Sequence, residues 1–240
     1  MRYNTIFFDA DGTLYDFDVS EAEALSETLI NAGIKPTPAI IALYHDINLA
    51  QWKALERGET TREKLRVDRF RILLDEMTRQ GMPSNADPLT LCEYYVERLS
   101  EKCILIPGAE DVCRNLSKYA SLYIITNGLT RVQTSRFSRS PISKYFKDAF
   151  ISESMGATKP ERVYFDIALE RAGIKSEDER RRVLVVGDSL TSDIAGGNGA
   201  GIDTCWYNPD GQESGDVIPT YTIKRLDELY DICGVPKLEY

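Results

Sequence analysis

The chain has 240 residues and a formal net charge of −9 at neutral pH, and 42% of its residues are apolar. An acidic protein repels the phosphate backbone of DNA and RNA, so a nucleic-acid polymer is not an expected partner. No apolar run reaches the roughly 18 residues of a membrane-spanning helix, and no signal peptide is visible, so we expect a cytoplasmic protein with no membrane partner. The five cysteines form no C-x-x-C pair and the only histidine is His45, which argues against a zinc site.

The first predicted element is a short strand that runs into two aspartates. Residues 5–8 read Thr-Ile-Phe-Phe, and Asp9, Asp11 and Gly12 follow. A short apolar run bounded by a turn signal is typical of a core strand. Side chains two apart on a strand point to one side, so Asp9 and Asp11 are expected to face one space, where close carboxylates need a cation or a proton between them. A strand that simply ends in an Asp-Gly turn is the alternative.

The next 80 or so residues carry helix signals and no strand-like alternation. Ser20 with Glu23 and Thr60 with Glu63 fit the capping box of a helix start, and further helices are predicted over roughly 38–57 and 88–102. Trp52 is a candidate for stacking on a nucleotide base, although core packing is the commoner role of a helical tryptophan. We therefore predict an all-helical domain at residues 19–102, inserted into a core of residues 1–18 and 103–240.

Strands and helices alternate after residue 103. Strands are predicted at 122–125, 149–151, 183–186, 204–207 and 221–223. This alternation predicts an α/β fold in which a Rossmann-like parallel sheet carries helices on both faces. Three arginines on the polar helix after the second strand are interpreted as a solvated face, and so is the charged loop at 177–182; the arginines are Arg131, Arg136 and Arg139.

Polar residues directly follow three of these strands. They are Asp9 and Asp11, Thr126 and Asn127, and Asp188. The carboxyl ends of parallel strands meet at one edge of the sheet, where ligands bind in open α/β folds. Carboxylates without a nearby histidine or thiol suit Mg²⁺, with Asp193 as a further candidate ligand, and the hydroxyl and amide donors suit a phosphate group. Lys159 is expected to hold Asp9 ionised and to neutralise the phosphate.

The chain resembles the phosphohydrolases of the haloacid dehalogenase (HAD) superfamily. The resemblance rests on four motifs in order: Asp9-Ala10-Asp11-Gly12-Thr13-Leu14, Thr126-Asn127-Gly128, Lys159-Pro160, and Gly187-Asp188-Ser189 with Asp193. The helical insertion resembles the type 1 cap of that superfamily. Dehalogenases of the superfamily do not carry an acidic residue at the position of Asp11, and a phosphate ester needs a proton for its leaving alkoxide, so Asp11 favours a phosphatase.

The resemblance also implies roles for single residues. Asp9 would be the nucleophile that forms an aspartyl-phosphate, and Asp11 would be the general acid and base. Mg²⁺ would be held by Asp9, Asp188 and the backbone carbonyl of Asp11, while Asp193 would orient a metal-bound water. Thr126 would bind the phosphate, with Asn127 and Lys159 assisting.

A narrower resemblance concerns the substrate. Segments such as Thr204-Cys205-Trp206-Tyr207-Asn208 and Pro219-Thr220-Tyr221-Thr222 are similar to the bacterial pyrimidine 5′-nucleotidase of the superfamily. This implies that the partner is a small phosphorylated metabolite and favours a nucleoside 5′-monophosphate. A sugar-phosphate phosphatase, a phosphomutase and a non-catalytic sensor of a phosphorylated ligand are the alternatives.

Overall fold

The computed structural model describes residues 2–237, and these form two compact units. One unit runs up to Asp16 and resumes at Cys103, and the other is Phe17–Lys102. The ends of the predicted core, residue 1 and residues 238–240, lie outside the described residues. None of the helices within 2–237 has the length and apolar character needed to cross a membrane.

The first unit contains a six-stranded parallel sheet, and the predicted α/β fold is confirmed. Its strands are β1 (Thr5–Asp9), β2 (Ser121–Thr126), β3 (Phe146–Ile151), β4 (Val183–Gly187), β5 (Asp203–Tyr207) and β6 (Tyr221–Ile223). The strand order is β3-β2-β1-β4-β5-β6, so β1 lies between β2 and β4. This order brings the ends of the three strands that carry the predicted site residues next to one another.

Apolar side chains cover the sheet on both faces, which explains why its central strands are almost continuously hydrophobic. Ile6 and Phe8 pack on one face, in a cluster that includes Leu116, whereas Phe7 points to the other face and packs in a cluster that includes Phe165. The helices of this unit are α5 (Ala109–Leu116), α6 (Thr130–Arg139), α7 (Ser152–Met155), α8 (Arg162–Arg171), α9 (Glu177–Arg180), α10 (Ala195–Gly199) and α11 (Leu229–Cys233), which we number after the four helices of the other unit.

The second unit is all-helical. It consists of α1 (Phe17–Asn31), α2 (Pro38–Glu56), α3 (Arg62–Arg79) and α4 (Pro88–Glu101). Helix α1 packs on α2 and α4, and α3 packs on the same two helices. The helices α2 and α4 each have proline in the first turn, where its missing N–H costs nothing.

Two predicted helix starts are wrong by a few residues. Helix α1 begins at Phe17, and Ser20 is buried within it, so the Ser20–Glu23 pair is not a cap. The next predicted cap lies one residue too early. Thr61 is the residue that caps α3, because its backbone is extended and its Oγ1 accepts a hydrogen bond from the Lys64 N–H at 3.4 Å.

In two segments the secondary structure differs from the prediction. The predicted helix over residues 192–199 begins as a π-helical turn (Leu190–Ile194) and becomes regular only in α10. The predicted loop at 177–182 contains α9, which starts with a capping box between Ser176 and Glu179. This helix stays mostly exposed, so its charges are solvated as expected.

Candidate active site

The candidate site lies at the carboxyl edge of the central strands. Asp9 is the last residue of β1, Thr126 is the last residue of β2, and Asp188 directly follows β4. Asp9 pairs in register with Ile125 of the neighbouring strand, so the two strands end almost level. The sheet therefore positions these side chains through backbone pairing between distant parts of the chain.

Lys159 connects two buried aspartates at this edge. Its ammonium group donates to Asp9 Oδ1 at 2.6 Å, to Asp193 Oδ1 at 2.7 Å and to the Ile125 carbonyl at 3.1 Å. The side chains of Lys159, Asp9 and Asp193 are 2%, 9% and 1% exposed, so the charges interact with little screening by water. The three bonds use all three donors of the ammonium group and hold it in one place.

Burial and neighbouring charges shift the pKa values of this group. Burial raises the pKa of Asp9 well above its usual value; the Lys159 charge opposes this, and the charges of Asp193 and Asp188 add to it. Burial lowers the pKa of Lys159, but the carboxylates of Asp193 and Asp9 outweigh it and leave that pKa above the usual value. Burial and the Asp193 charge raise the pKa of Asp188 to about 7. The three carboxylates together can carry more negative charge than the single ammonium group of Lys159 balances.

A third carboxylate completes a cluster that suits a metal ion. One oxygen each of Asp9, Asp188 and Asp193 lies within 4.8 Å of the others. Thr13 Oγ1 donates to Asp188 Oδ1 at 3.2 Å, and the Trp206 indole N–H donates to the Asp188 carbonyl at 2.8 Å. Three carboxylates face one ammonium group, and oxygen ligands with a net negative charge are what hard cations such as Mg²⁺ require.

Asp193 is held differently from the other two carboxylates. Its Oδ1 accepts from Lys159, and its Oδ2 accepts from the Ser189 backbone N–H at 3.1 Å. Because both oxygens already have a donor, Asp193 is better suited to holding Lys159 and the loop after β4 than to binding a metal directly.

Two glycines leave space for these carboxylates. Gly12 has φ +83°, and a Cβ at this position would overlap the carboxylate of Asp188. A Cβ at Gly187 would likewise overlap the carboxylate of Asp193. Glycine is therefore required at both positions for the carboxylates to approach the backbone, and at Gly12 also for the positive φ.

The Asn127 amide holds the loop that carries Lys159. Its Oδ1 accepts from the Lys159 N–H and from Thr158 Oγ1, both at 2.9 Å, and its Nδ2 donates to the Lys159 carbonyl at 2.9 Å. The neighbouring Thr126 is buried, and its Oγ1 accepts from the Gly128 N–H at 3.0 Å. Asn127 therefore supports the site by fixing the lysine loop, a role that the sequence prediction of a phosphate donor did not include.

Asp11 is not part of the carboxylate cluster, and its partners come from α6. Gln133 Nε2 donates to Asp11 Oδ2 at 2.5 Å, and the Arg136 guanidinium donates to Asp11 Oδ1. Arg136 is fully buried, so its interpretation as part of a solvated face is wrong, whereas Arg131 and Arg139 are exposed. A detectable signal was present: Gln133 and Arg136 continue the helical stripe of the buried residues Leu129 and Val132.

Trp52 and His45 of the helical unit have different surroundings. Trp52 lies on α2 and is partly exposed, so it is not a fully buried core residue. His45 Nδ1 is 2.8 Å from Glu21 Oε2 within the same unit. His45 is thus part of a hydrogen-bonded network within the helical unit.

The chain matches a known protein family and several of its members. A family model described as haloacid dehalogenase-like hydrolase matches residues 3–201. YfnB of Bacillus subtilis (strain 168) is 40% identical over 98% of this chain and 97% of its own length. A crystal structure of the B. subtilis YfnB bound to magnesium superposes with a TM-score of 0.89 at 41% identity, covering 98% of this chain and all of that chain.

Two further relatives have named activities. Pyrimidine 5′-nucleotidase PynA of Streptococcus pneumoniae (strain ATCC BAA-255 / R6) is 36% identical over 96% of this chain and 95% of its own length. Pyrimidine 5′-nucleotidase YjjG of Escherichia coli (strain K12) is 34% identical over 95% of this chain and 97% of its own length. All three relatives match nearly from end to end.

Proposed function

The chain belongs to the haloacid dehalogenase-like hydrolases, and from this we propose that it is a Mg²⁺-dependent phosphatase that hydrolyses pyrimidine nucleoside 5′-monophosphates. The observation that carries the proposal is the buried Lys159 bridging Asp9 and Asp193 beside a third carboxylate, Asp188. An aspartate next to a fixed ammonium group becomes a suitable nucleophile for a phosphate ester once a cation offsets the neighbouring carboxylates.

In the proposed reaction, Asp9 and Asp11 divide the chemistry. A carboxylate oxygen of Asp9 attacks phosphorus, the bond from phosphorus to the ester oxygen breaks, and that oxygen takes a proton from Asp11. A water molecule then attacks the phosphoryl group and gives a proton to Asp11, and the bond to Asp9 breaks to release inorganic phosphate. Both aspartates return to their initial state, so the cycle balances.

The residues present fit a magnesium ion. The donor set is all oxygen, and the carboxylates of Asp9, Asp188 and Asp193 exceed the single positive charge of Lys159. We propose that Asp9, Asp188 and the Asp11 carbonyl hold the ion, and that Asp193 supports them through its bonds to Lys159 and Ser189. When bound, Mg²⁺ would reduce the repulsion between the nucleophile and the anionic substrate. The magnesium in the YfnB crystal structure supports this proposal.

Phosphate recognition is assigned to the residues around Lys159. The ammonium group would neutralise the transferring phosphoryl group, and Thr126 would contact its oxygens. Asn127 would assist by keeping Lys159 in place, since its amide already bonds to the backbone of that residue. This assignment predicts that Asn127 variants disturb binding through the loop.

The substrate preference rests on the relatives and on the helical unit. Two relatives with 34–36% identity are named pyrimidine 5′-nucleotidases, which supports a nucleotide substrate. We assign residues 17–102 the role of a substrate-selecting cap, with the partly exposed Trp52 as the candidate for stacking on the base. A Trp52→Leu variant should then raise KM for nucleotides more than for sugar phosphates.

The proposal is tested by measuring phosphate release with and without Mg²⁺ across nucleoside monophosphates and sugar phosphates. Asp9→Asn is the blank, because the change is nearly isosteric and removes the nucleophile. Selective Mg²⁺-dependent release from UMP, dUMP or dTMP is the expected result, with a mass increase of one phosphoryl group on the quenched wild-type protein. Preference for sugar phosphates would contradict the nucleotide substrate but would still support hydrolysis of a phosphate ester. Isomerisation without release would indicate a phosphomutase, and binding without turnover a sensor.

A further inference from the structure

The carboxylate of Asp11 is held from both sides by one helix. Gln133 Nε2 donates to one oxygen at 2.5 Å and the Arg136 guanidinium donates to the other, and both residues lie on α6. Gln133 is 4% exposed and Arg136 is 0% exposed. Because each oxygen has its own donor, the plane of the carboxylate is defined as well as its position.

Burying Arg136 is unfavourable for the fold alone. Among the described residues, its Nε and Nη2 atoms are buried without a hydrogen-bond partner, so the guanidinium gives up hydration and recovers one ion pair and one contact with an aromatic ring. An apolar side chain in such a place is often as stabilising as a buried ion pair, or more so. The arrangement therefore points to a function at Asp11 and not to a contribution to stability.

The surroundings of the two donors are built to accommodate them. A Cβ at Gly128 would overlap the Gln133 amide, so the glycine leaves the space through which Gln133 reaches Asp11. The Arg136 guanidinium lies over the ring of the buried Tyr15, with 5.0 Å from Cζ to the ring centroid. Tyr15 belongs to the turn after β1, where its N–H donates to the Ala10 carbonyl at 2.8 Å.

We propose that Gln133 and Arg136 are positioning residues that orient the Asp11 carboxylate for proton transfer. This inference rests on the proposed function, in which Asp11 gives a proton to the leaving oxygen and later takes one from water. An aspartate held by its backbone alone can rotate about two side-chain bonds, and a misplacement of about 1 Å can cost on the order of a hundredfold in rate. The two donors remove that freedom.

A comparison of leaving groups tests this role. An alkoxide, as from a nucleotide, needs the proton from Asp11, whereas the p-nitrophenolate of p-nitrophenyl phosphate leaves readily without it. Hydrolysis of phosphorylated Asp9 is the same for every substrate, so the first step is measured alone, as single-turnover release of the leaving group. For Gln133→Met and Arg136→Met we expect this release to slow about a hundredfold with UMP and less than about tenfold with p-nitrophenyl phosphate, with substrate affinity unchanged. Arg136→Lys keeps a charged donor and should recover part of the loss.

Two further variants separate positioning from general damage. Arg139→Met changes an exposed arginine on the same helix and should leave both rates within about twofold of the wild type. Gly128→Ala keeps Gln133 and pushes its amide away, so it should reproduce the selective loss on UMP. Equal losses in single-turnover release from both substrates, or no loss in a folded Gln133→Met protein, would overturn the proposal. Circular dichroism melting identifies any variant that fails to fold.

A structural measurement gives an answer that does not depend on turnover. In a crystal structure of Gln133→Met or Gly128→Ala, the Asp11 carboxylate should leave its observed orientation. If Asp11 keeps that orientation in both variants, Gln133 does not position it, whatever the enzyme hydrolyses. Absence of Mg²⁺-dependent release from every substrate by the wild type would instead contradict the proposed function, so the two failures are distinguishable.

Discussion

The two units of the molecule each contain a buried polar network, and the two networks differ in their charge balance. In the sheet unit, three carboxylates lie close together, and the single ammonium group of Lys159 binds two of them, Asp9 and Asp193. In the helical unit, the buried carboxylate of Glu21 is linked to the buried guanidinium of Arg69 through Asn48. Burial of polar groups is therefore common to both units, and only one of them has an excess of charge.

The charges of the network in the helical unit balance one another, although Arg69 Nη2 is buried without a hydrogen-bond partner among the described residues. Asn48 Nδ2 donates to Glu21 Oε1 at 2.6 Å, and Arg69 Nη1 donates to Asn48 Oδ1 at 2.8 Å. His45 binds the other Glu21 oxygen at the exposed end. The Arg69 guanidinium also lies 4.8–6.0 Å from the centroids of three aromatic rings, those of Tyr44, Phe70 and Tyr95. One negative charge is matched by one permanent positive charge, so this network needs no ligand.

The comparison teaches that charge imbalance, more than buried polarity, marks the site where chemistry is expected. Breaking the balanced network of Glu21 and Arg69 in the helical unit should cost stability. In an unbalanced cluster the carboxylates repel one another until a cation binds between them. Changing such a cluster should affect activity and metal binding. The following four experiments test this distinction, from the largest expected effect to the smallest.

Removing the ammonium group should have the largest effect. In Lys159→Met, the carboxylates of Asp9 and Asp193 lose their common partner, and the phosphoryl group loses its counter-charge. We expect kcat/KM for phosphate release to fall at least about a thousandfold, which corresponds to about 4 kcal/mol. Lys147→Met, at an exposed lysine of the same unit, is the control. A loss below tenfold would mean that Lys159 is not part of the catalytic site.

Breaking the balanced network should affect the fold. Arg69→Met leaves the buried Glu21 charge without its guanidinium, and we expect the free energy of unfolding to drop by about 3–5 kcal/mol. Urea unfolding measures the drop, with Arg71→Met, a change at an exposed arginine of the same helix, as the control. Activity per folded molecule should stay within about twofold. A variant that is stable but inactive would contradict the structural role.

Reducing the charge excess should change the response to the metal. Asp188→Asn removes one of three mutually repelling carboxylates, so in EDTA the variant should melt at a higher temperature than the wild type. Mg²⁺ at about a hundred times its Kd should stabilise the wild type by about 2–3 kcal/mol and the variant hardly at all. Calorimetric melting with and without Mg²⁺ measures both effects. Asp210→Asn, at an exposed aspartate, should keep the wild-type response.

The smallest effect is expected at the exposed end of the balanced network. The hydrogen bond that the His45 imidazole donates to Glu21 raises the pKa of His45 above 6.5, against a smaller effect of burial, and the charges of Glu21, Asp18 and Asp46 add to the rise. The contact therefore contributes stability that is present below pH 6.5 and is lost as the pH increases through the raised pKa.

Because the chain has one histidine, a single imidazole C2–H resonance in the NMR spectrum reports this pKa directly. Glu21→Gln should move the midpoint back towards 6.5, and Asp46→Asn should move it less. An unchanged midpoint in Glu21→Gln would show that the hydrogen bond does not control the proton.

Several site residues could be predicted from local sequence patterns. Asp9, Thr126 and Asp188 follow apolar strands, and parallel strands bring their carboxyl ends together whatever lies between them in the chain. The strand order confirms that these three ends are neighbours. The helix starts at Ser20 and Thr60 were placed wrongly because the same residue types fit a cap at several adjacent positions, and only the backbone conformation selects one.

The partners of Asp11 could not be predicted in the same way. Arg136 lies 125 positions from Asp11 in the chain, and an arginine in a polar helix is solvated far more often than buried. The stripe of Leu129 and Val132 indicated which face of α6 is buried, but not that the Asp11 carboxylate lies against that face. A charged residue becomes a buried partner only when another segment supplies its counter-charge.

The sequence by itself determined the family, the parallel α/β sheet and the residues at its carboxyl edge, because periodicity and motif order are local properties. The sequence also predicted that Lys159 acts on Asp9. Tertiary structure alone decided that Lys159 also meets Asp193, that Arg136 meets Asp11, and that Asn48 links Arg69 to Glu21. The physical reason is that Coulomb energy and desolvation depend on distance and burial, and both are set only when distant segments pack together.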